Sequence, residues 1–244
     1  AIEAGGVRLY DLFYVEYGEV TTGSKLRIYG PREDVNLVCL MQGRMPEGPD
    51  EIAVDRMYAD NNGIEVGDTL AAGKDTFKVT GLVALSDYSA LFESPSDMMF
   101  DAVQFGVAIV TPETFDSIRN THLHYSYSWL YDDPPTDDKA AKERSEDLID
   151  DIADLLKEKA ESEAEEIITE AVMRGEDPNS VKLPDFLTIK NYIPAYANQA
   201  IHFTGDDLGG DNAMMTVFLY ILIIIIAFIF AITTSNTITK ESAV

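Results

Sequence analysis

The stretch Ala213 to Ile232 reads AMMTVFLYILIIIIAFIFAI, inside a window without charge between Asp211 and Lys240. Twenty residues at about 1.5 Å each make a helix of about 30 Å, the thickness of a bilayer's hydrocarbon core. Thirteen of them are Val, Leu, Ile or Phe. At about −0.3 to −0.6 kcal/mol each on an insertion scale, these favour the membrane by about 4–8 kcal/mol. A core helix of a soluble protein is the competing reading. A helix apolar on every face needs burial all round, which a chain of this size rarely provides. The run Ile223 to Ile226 also suits a strand, but the length of the segment favours a helix. The sequence therefore predicts a transmembrane helix over 212–239, with 240–244 opening a cytoplasmic segment.

Charge on the two sides of this helix is unequal. Lys240 comes after it, whereas Asp206, Asp207 and Asp211 precede it and no Lys or Arg lies in the preceding stretch back to Lys190. The excess of basic residues on cytoplasmic flanks places the C-terminal end inside and residues 1–211 outside, at the cell membrane. The chain opens at Ala1 without Met and stops twelve residues past Ile232. A piece of a longer polypeptide is the expectation.

Outside the span the chain is acidic. Its 244 residues carry 43 Asp and Glu against 18 Lys and Arg, a formal net charge of −25. That excludes the basic footprint of a nucleic-acid binder. With 46% hydrophobic residues the chain can build a sizeable core, in one or two domains. The lone Cys39 forbids an intrachain disulfide and a CxxC metal site. Cys39 sits in an apolar run and reads as a small core residue.

Residues 1–135 read as an α+β core. Lys25 to Tyr29, Val35 to Met41, Glu51 to Val54, Thr76 to Leu85 and Phe105 to Val110 have strand composition, and Ile64-Glu65-Val66 and Thr69-Leu70 flank a turn at Gly67-Asp68. Asp55 is placed to cap a helix through about Asn61, ended by Asn62-Gly63. Thr111-Pro112 opens another helix. Tyr125 to Tyr131 reads as a strand whose aromatics, Tyr125, Tyr127, Trp129 and Tyr131, pack along one face. Residues 136–177 differ: from Asp137 to Asp177 there are sixteen acidic and six basic residues. No Pro or Gly interrupts this segment before Gly175, and Leu148, Ile152, Leu156, Ala160, Ala164, Ile168 and Val172 recur at helical spacing. One long helix and two helices with a break are both open, and so are a solvated acidic face and a docking surface for a basic partner. Residues 178–211 return to the core through a strand at Phe186 to Lys190 and a flexible hinge at Gly205-Asp206-Asp207-Leu208-Gly209-Gly210. The fold class expected is α+β: a mixed-strand extracytoplasmic domain with a long acidic helical insertion, followed by one transmembrane helix.

Candidate chemistry is sparse. Gly67 to Asp75 approaches a phosphate loop, but five residues separate Gly67 from Gly73 and Asp75 comes after Lys74. The motif needs four residues between the glycines and a Ser or Thr after Lys. His122 and His124 share one face if the segment is a strand; they could begin a zinc or copper site or be ordinary strand residues. His202 is remote. There is no Gly-x-Ser-x-Gly elbow and no nucleophile–base set. No catalytic, cofactor-binding or metal-ligating residue is assigned, no cofactor is expected, and the chain reads as a non-enzyme.

Gly43-Arg44-Met45-Pro46-Glu47-Gly48-Pro49-Asp50-Glu51-Ile52-Ala53-Val54-Asp55, with Gly63-Ile64-Glu65-Val66-Gly67-Asp68-Thr69-Leu70 after it, resembles the paired motifs of FtsX-like/MacB-like ABC-transporter permeases. Phe77 to Val83 and Val107 to Val110 resemble the next strands of that family. The span running into Thr237-Ile238-Thr239-Lys240-Glu241 resembles its second membrane helix reaching the cytoplasmic end. The acidic helix at 136–175 looks like an insertion. The resemblance implies a permease with four membrane helices and an extracytoplasmic domain between the first two. Implied partners are an ABC ATPase subunit or fused ATPase domain, a second permease copy in a dimer, an extracytoplasmic protein or peptide, and the lipid bilayer. ATP-driven motion would be transmitted across the membrane to lipoproteins, peptides or cell-wall partners. A single-span anchored binding or sensor domain is the alternative.

Overall fold

The computed structural model describes residues 2–4, 6–18, 20–94, 97–119 and 123–241. It is an α+β structure: a mixed sheet, a long helix, and one apolar C-terminal helix. The strands are β1 (Ile2–Ala4), β2 (Val7–Asp11), β3 (Tyr14–Tyr17), β4 (Lys25–Tyr29), β5 (Val38–Gly43), β6 (Glu51–Asp55), β7 (Thr69–Ala72), β8 (Asp75–Leu85), β9 (Phe105–Ile109), β10 (Leu123–His124) and β11 (Tyr127–Tyr131). The helices are α1 (Arg56–Asn62), α2 (Pro112–Ile118), α3 (Asp138–Met173) and α4 (Gln199–Glu241).

The larger sheet runs β10-β3-β4-β9-β6-β8-β5, with β7 paired to the start of β8. The pairs β4–β9 and β6–β8 are parallel and the rest antiparallel. A smaller antiparallel sheet has the order β1-β2-β11. Strand β9, FGVAI, is buried at every position, as expected of a central strand covered on both faces. Together with Leu26, Ile28, Val54, Val79 and Val83 it forms one core.

Helix α1 begins where Asp55 accepts from the N–H groups of Met57 and Tyr58 and ends at Gly63, φ 65°. Its Tyr58 ring lies against Gly106, where a Cβ would come within 2.5 Å of the ring. The buried phenol is satisfied by Ser24 Oγ at 2.6 Å and Thr22 Oγ1 at 2.8 Å, as a polar group inside a core must be.

Several expectations change. The strand expected over Tyr125 to Tyr131 is β11, which begins two residues later, at Tyr127; Tyr125-Ser126 link it, in the smaller sheet, to β10 in the larger. Tyr125 and Tyr127 are exposed rather than packed along a sheet, both edge-on to Phe13 at 5.1 and 5.3 Å. Cys39 is exposed, because β5 is an outer strand with one neighbour, and local composition does not distinguish an edge from a centre. Phe186 to Lys190 forms no strand; none of the described strands pairs with it. Helix α3 is unbroken for 36 residues, about 54 Å, because it holds no Gly or Pro. The Gly205–Gly210 hinge is instead helical, inside α4. Helix propagation adds one bond per residue fixed once a nucleus exists, and ordered turns on both sides carry the helix through at about 1 kcal/mol for each glycine relative to Ala.

Candidate functional site at the junction of head and apolar helix

Helix α4 is 43 residues long and contains Ala213–Thr234, a segment long and apolar enough to cross a membrane and with its apolar side chains exposed. Its first turn is built against the head, residues 7–131. Asn198 caps it, its side chain accepting from Ala200 N–H at 3.1 Å, and His202 Nε2 donates to the Ala195 carbonyl at 2.8 Å.

The head meets this turn with the connection 86–104 between β8 and β9. The Ser89 hydroxyl donates to the Ala200 carbonyl at 2.7 Å, and the Ser89 N–H donates to the same oxygen at 2.6 Å. Beside them Phe92, Phe100 and Phe203 form a closed edge-to-face triangle, with centroids 5.8, 6.0 and 5.1 Å apart. Ala90, Phe92 and Ala200 are buried there. Each such aromatic pair contributes about 0.5–1.5 kcal/mol beyond area burial.

The docking connection is held in turn by cations from β4 and just beyond it. Arg32 Nη1 meets Asp87 at 2.6 Å, with the Arg32 side chain only 2% exposed and its guanidinium stacked 4.0 Å over Tyr29. Burial pushes the Asp87 carboxyl above its usual range, against the pull of Arg32. Tyr88 shares a hydrogen bond with Tyr29 at 2.8 Å and accepts from Arg27 Nη1 at 2.9 Å. Arg27 also donates to the Glu93 carbonyl at 3.2 Å and pairs with Glu16 at 2.8 Å, while Lys25 pairs with the Glu93 carboxylate. Lys25 and Arg27, two apart on β4, lie on one face. An unbroken path of bonded groups therefore joins the central sheet to the first turn of α4.

The residues singled out in the sequence lie elsewhere. His124 stacks flat on Tyr14 at 4.8 Å, and its companion His122 lies outside the described residues. Among the described residues no group of three or more His, Cys, Asp or Glu could hold a metal. The Gly67–Asp75 segment leads through β7 into a tight turn at Gly73-Lys74, and the Asp75 carboxylate accepts from Tyr17 at 2.6 Å. The Gly43–Asp55 motif is a folding device. Gly43, φ 75°, passes so close to β8 that a Cβ would lie 2.3 Å from the Thr80 carbonyl. Arg44, with the N–H groups of Glu47 and Gly48, holds the Glu51 carboxyl down to about 2. Ser89, Phe92, Phe100 and Phe203 carried no signal in the sequence, because Phe92 and Phe203 are remote in sequence and the loop between β8 and β9 has no periodicity.

No protein-family model matches the chain, and no curated protein sequence does. Among solved structures, the periplasmic region of MacB from Actinobacillus actinomycetemcomitans is similar, at 15% identity and a TM-score of 0.32. The match covers 60% of this chain and 65% of that one, just under two thirds of its length.

Proposed function

We propose that this chain is the extracytoplasmic domain and second membrane helix of an ABC-transporter permease of the FtsX-like/MacB-like kind. In this reading residues 1–211 lie outside the cell membrane and α4 crosses it. ATP is hydrolysed on a partner subunit or fused domain and not by this chain, and the head does conformational work on a lipoprotein, peptide or cell-wall partner. The observation that carries the reading is the junction: one unbroken helix enters the head and is fixed there by Ser89 and the Phe92–Phe100–Phe203 triangle. Motion of the helix reaches the sheet without a compliant linker. The paired motifs at 43–55 and 63–70 support the family.

The test is the intact permease reconstituted with its ATPase. Phe203→Ala loosens the junction, and the expected result is ATP turnover retained with extracytoplasmic work lost. Equal loss of both, or of neither, overturns the role given to the junction. A reading frame lacking an apolar span before the head and two after α4 overturns the family. A single-span anchored receptor would share the junction but would co-purify with no ATPase.

A further inference from the structure

A cleft of about 220 Å³ opens between the β2–β3 turn, the end of β4 and the start of α2. Leu12, Phe13, Pro31 and Phe115 give it apolar walls, Asp11 and Asp116 add carboxylates, and Arg32 completes it. Sites for drug-sized ligands run to about 300–1,000 Å³. This one suits a molecule of amino-acid size.

Arg32 is incompletely bonded. Its side chain is 2% exposed, and Nη1 serves both the Asp87 carboxylate and the Asn36 carbonyl. Nε and Nη2 are buried and lack acceptors among the described residues. A donor denied both water and a partner is costly, the more so on a charged group. These two donors lie side by side on one edge of the planar guanidinium, in the spacing that a carboxylate accepts with two parallel bonds.

The charges narrow the choice of ligand. Asp87 already balances Arg32, and Asp11 and Asp116 add negative charge at the same cleft. Asp116 also reaches Arg119 at 3.2 Å, an exposed pair of little strength. A simple carboxylate would meet repulsion here, whereas one that carries its own ammonium group would not.

We propose that this cleft binds a free α-amino acid with an apolar side chain. Its carboxylate takes the Nε–Nη2 edge of Arg32, its ammonium lies toward Asp11 and Asp116, and its side chain packs among Leu12, Phe13 and Phe115. Rotation of side chains in the wall admits the carboxylate, a change common on binding. This inference does not rest on the transporter reading.

The test is calorimetric titration of the full chain in detergent with L-phenylalanine, with phenethylamine, which lacks the carboxylate, and with hydrocinnamate, which lacks the amine. L-Phenylalanine is expected to bind, and each analogue to bind at least about tenfold more weakly. Arg32→Met combined with Asp87→Leu removes the guanidinium and its counter-ion together and leaves no buried charge. That chain, with circular dichroism matching the parent's, is expected to lose at least about tenfold in affinity for L-phenylalanine. Asp11→Asn combined with Asp116→Asn alters two exposed residues, and should weaken L-phenylalanine without weakening hydrocinnamate. No saturable binding of L-phenylalanine or L-leucine at millimolar concentration overturns the proposal. So does either analogue binding as tightly as the amino acid, or L-phenylalanine binding unchanged in either double variant. Each of these failures leaves the transporter reading standing.

Discussion

Ser89 and Ala200, 111 residues apart, are joined by two hydrogen bonds to one oxygen: the N–H and the hydroxyl of Ser89 both donate to the Ala200 carbonyl. Ser89→Ala removes one and leaves the other, at a cost of about 0.5–1.5 kcal/mol. The first turn of α4 should then exchange its amide hydrogens about two- to tenfold faster, with the head's central strands unchanged. Unchanged exchange across residues 200–204 would mean that the hydroxyl does not hold the turn.

Asp87 lies two residues before Ser89 and anchors the same connection. Removing its carboxylate leaves the Arg32 side chain, 2% exposed, charged and without its counter-ion, with only the Asn36 carbonyl accepting from Nη1 and with Nε and Nη2 lacking hydrogen-bond partners among the described residues. Breaking a buried pair on one side costs about 3–5 kcal/mol. Asp87→Ala should therefore lower the melting temperature by about 6–20 °C, at about 2–4 °C per kcal/mol for a chain of this size. Arg32→Met combined with Asp87→Leu should recover most of the loss, which a thermal melt of the three variants would reveal.

Burial pushes the Asp55 carboxyl up to about 6, against the N–H groups of Tyr58 and Met57 that it accepts from. The unfolded chain binds that proton with a pKa of about 3.9, so the native state binds it more tightly. The contribution of this group is complete below about pH 4 and is lost as pH rises through about 6, a change of about 2–3 kcal/mol. Asp55→Asn keeps an accepting oxygen and cannot ionise. Urea melts should find it equal to the parent near pH 4 and more stable by about 2–3 kcal/mol at pH 8. A parent and variant that differ equally at both pH values would refute the assignment.

Ile224 lies mid-way along the exposed apolar segment of α4. An Arg there should cost about 2.5–3.5 kcal/mol of insertion, read as a fall in the glycosylated or protease-protected fraction in microsomes. Normal insertion of Ile224→Arg would place that side chain away from lipid.

The parts of the fold that are legible in the sequence are those set by local chemistry. Asp55 and Gly63 bound α1 because capping needs an acceptor before the helix and a residue free to take positive φ after it. The apolar run and the acidic α3 are legible because their patterns extend over many turns. Cys39 and Phe186 mislead because edge or centre, and strand or extended coil, depend on neighbours remote in sequence. The Gly205–Gly210 segment misleads because residue preference there is outweighed by helix on both sides. The junction has no local signature at all: Ser89, Phe100 and Phe203 acquire meaning only when the loop after β8 and the start of α4 are brought together.

An uninterrupted α4 has a mechanical consequence. Forty-three residues make a rod of about 65 Å, so a tilt of only about 5° sweeps one end through about 6 Å relative to the other. Phe203, packed edge-on against Phe92 and Phe100, ties the head to any such displacement of the rod.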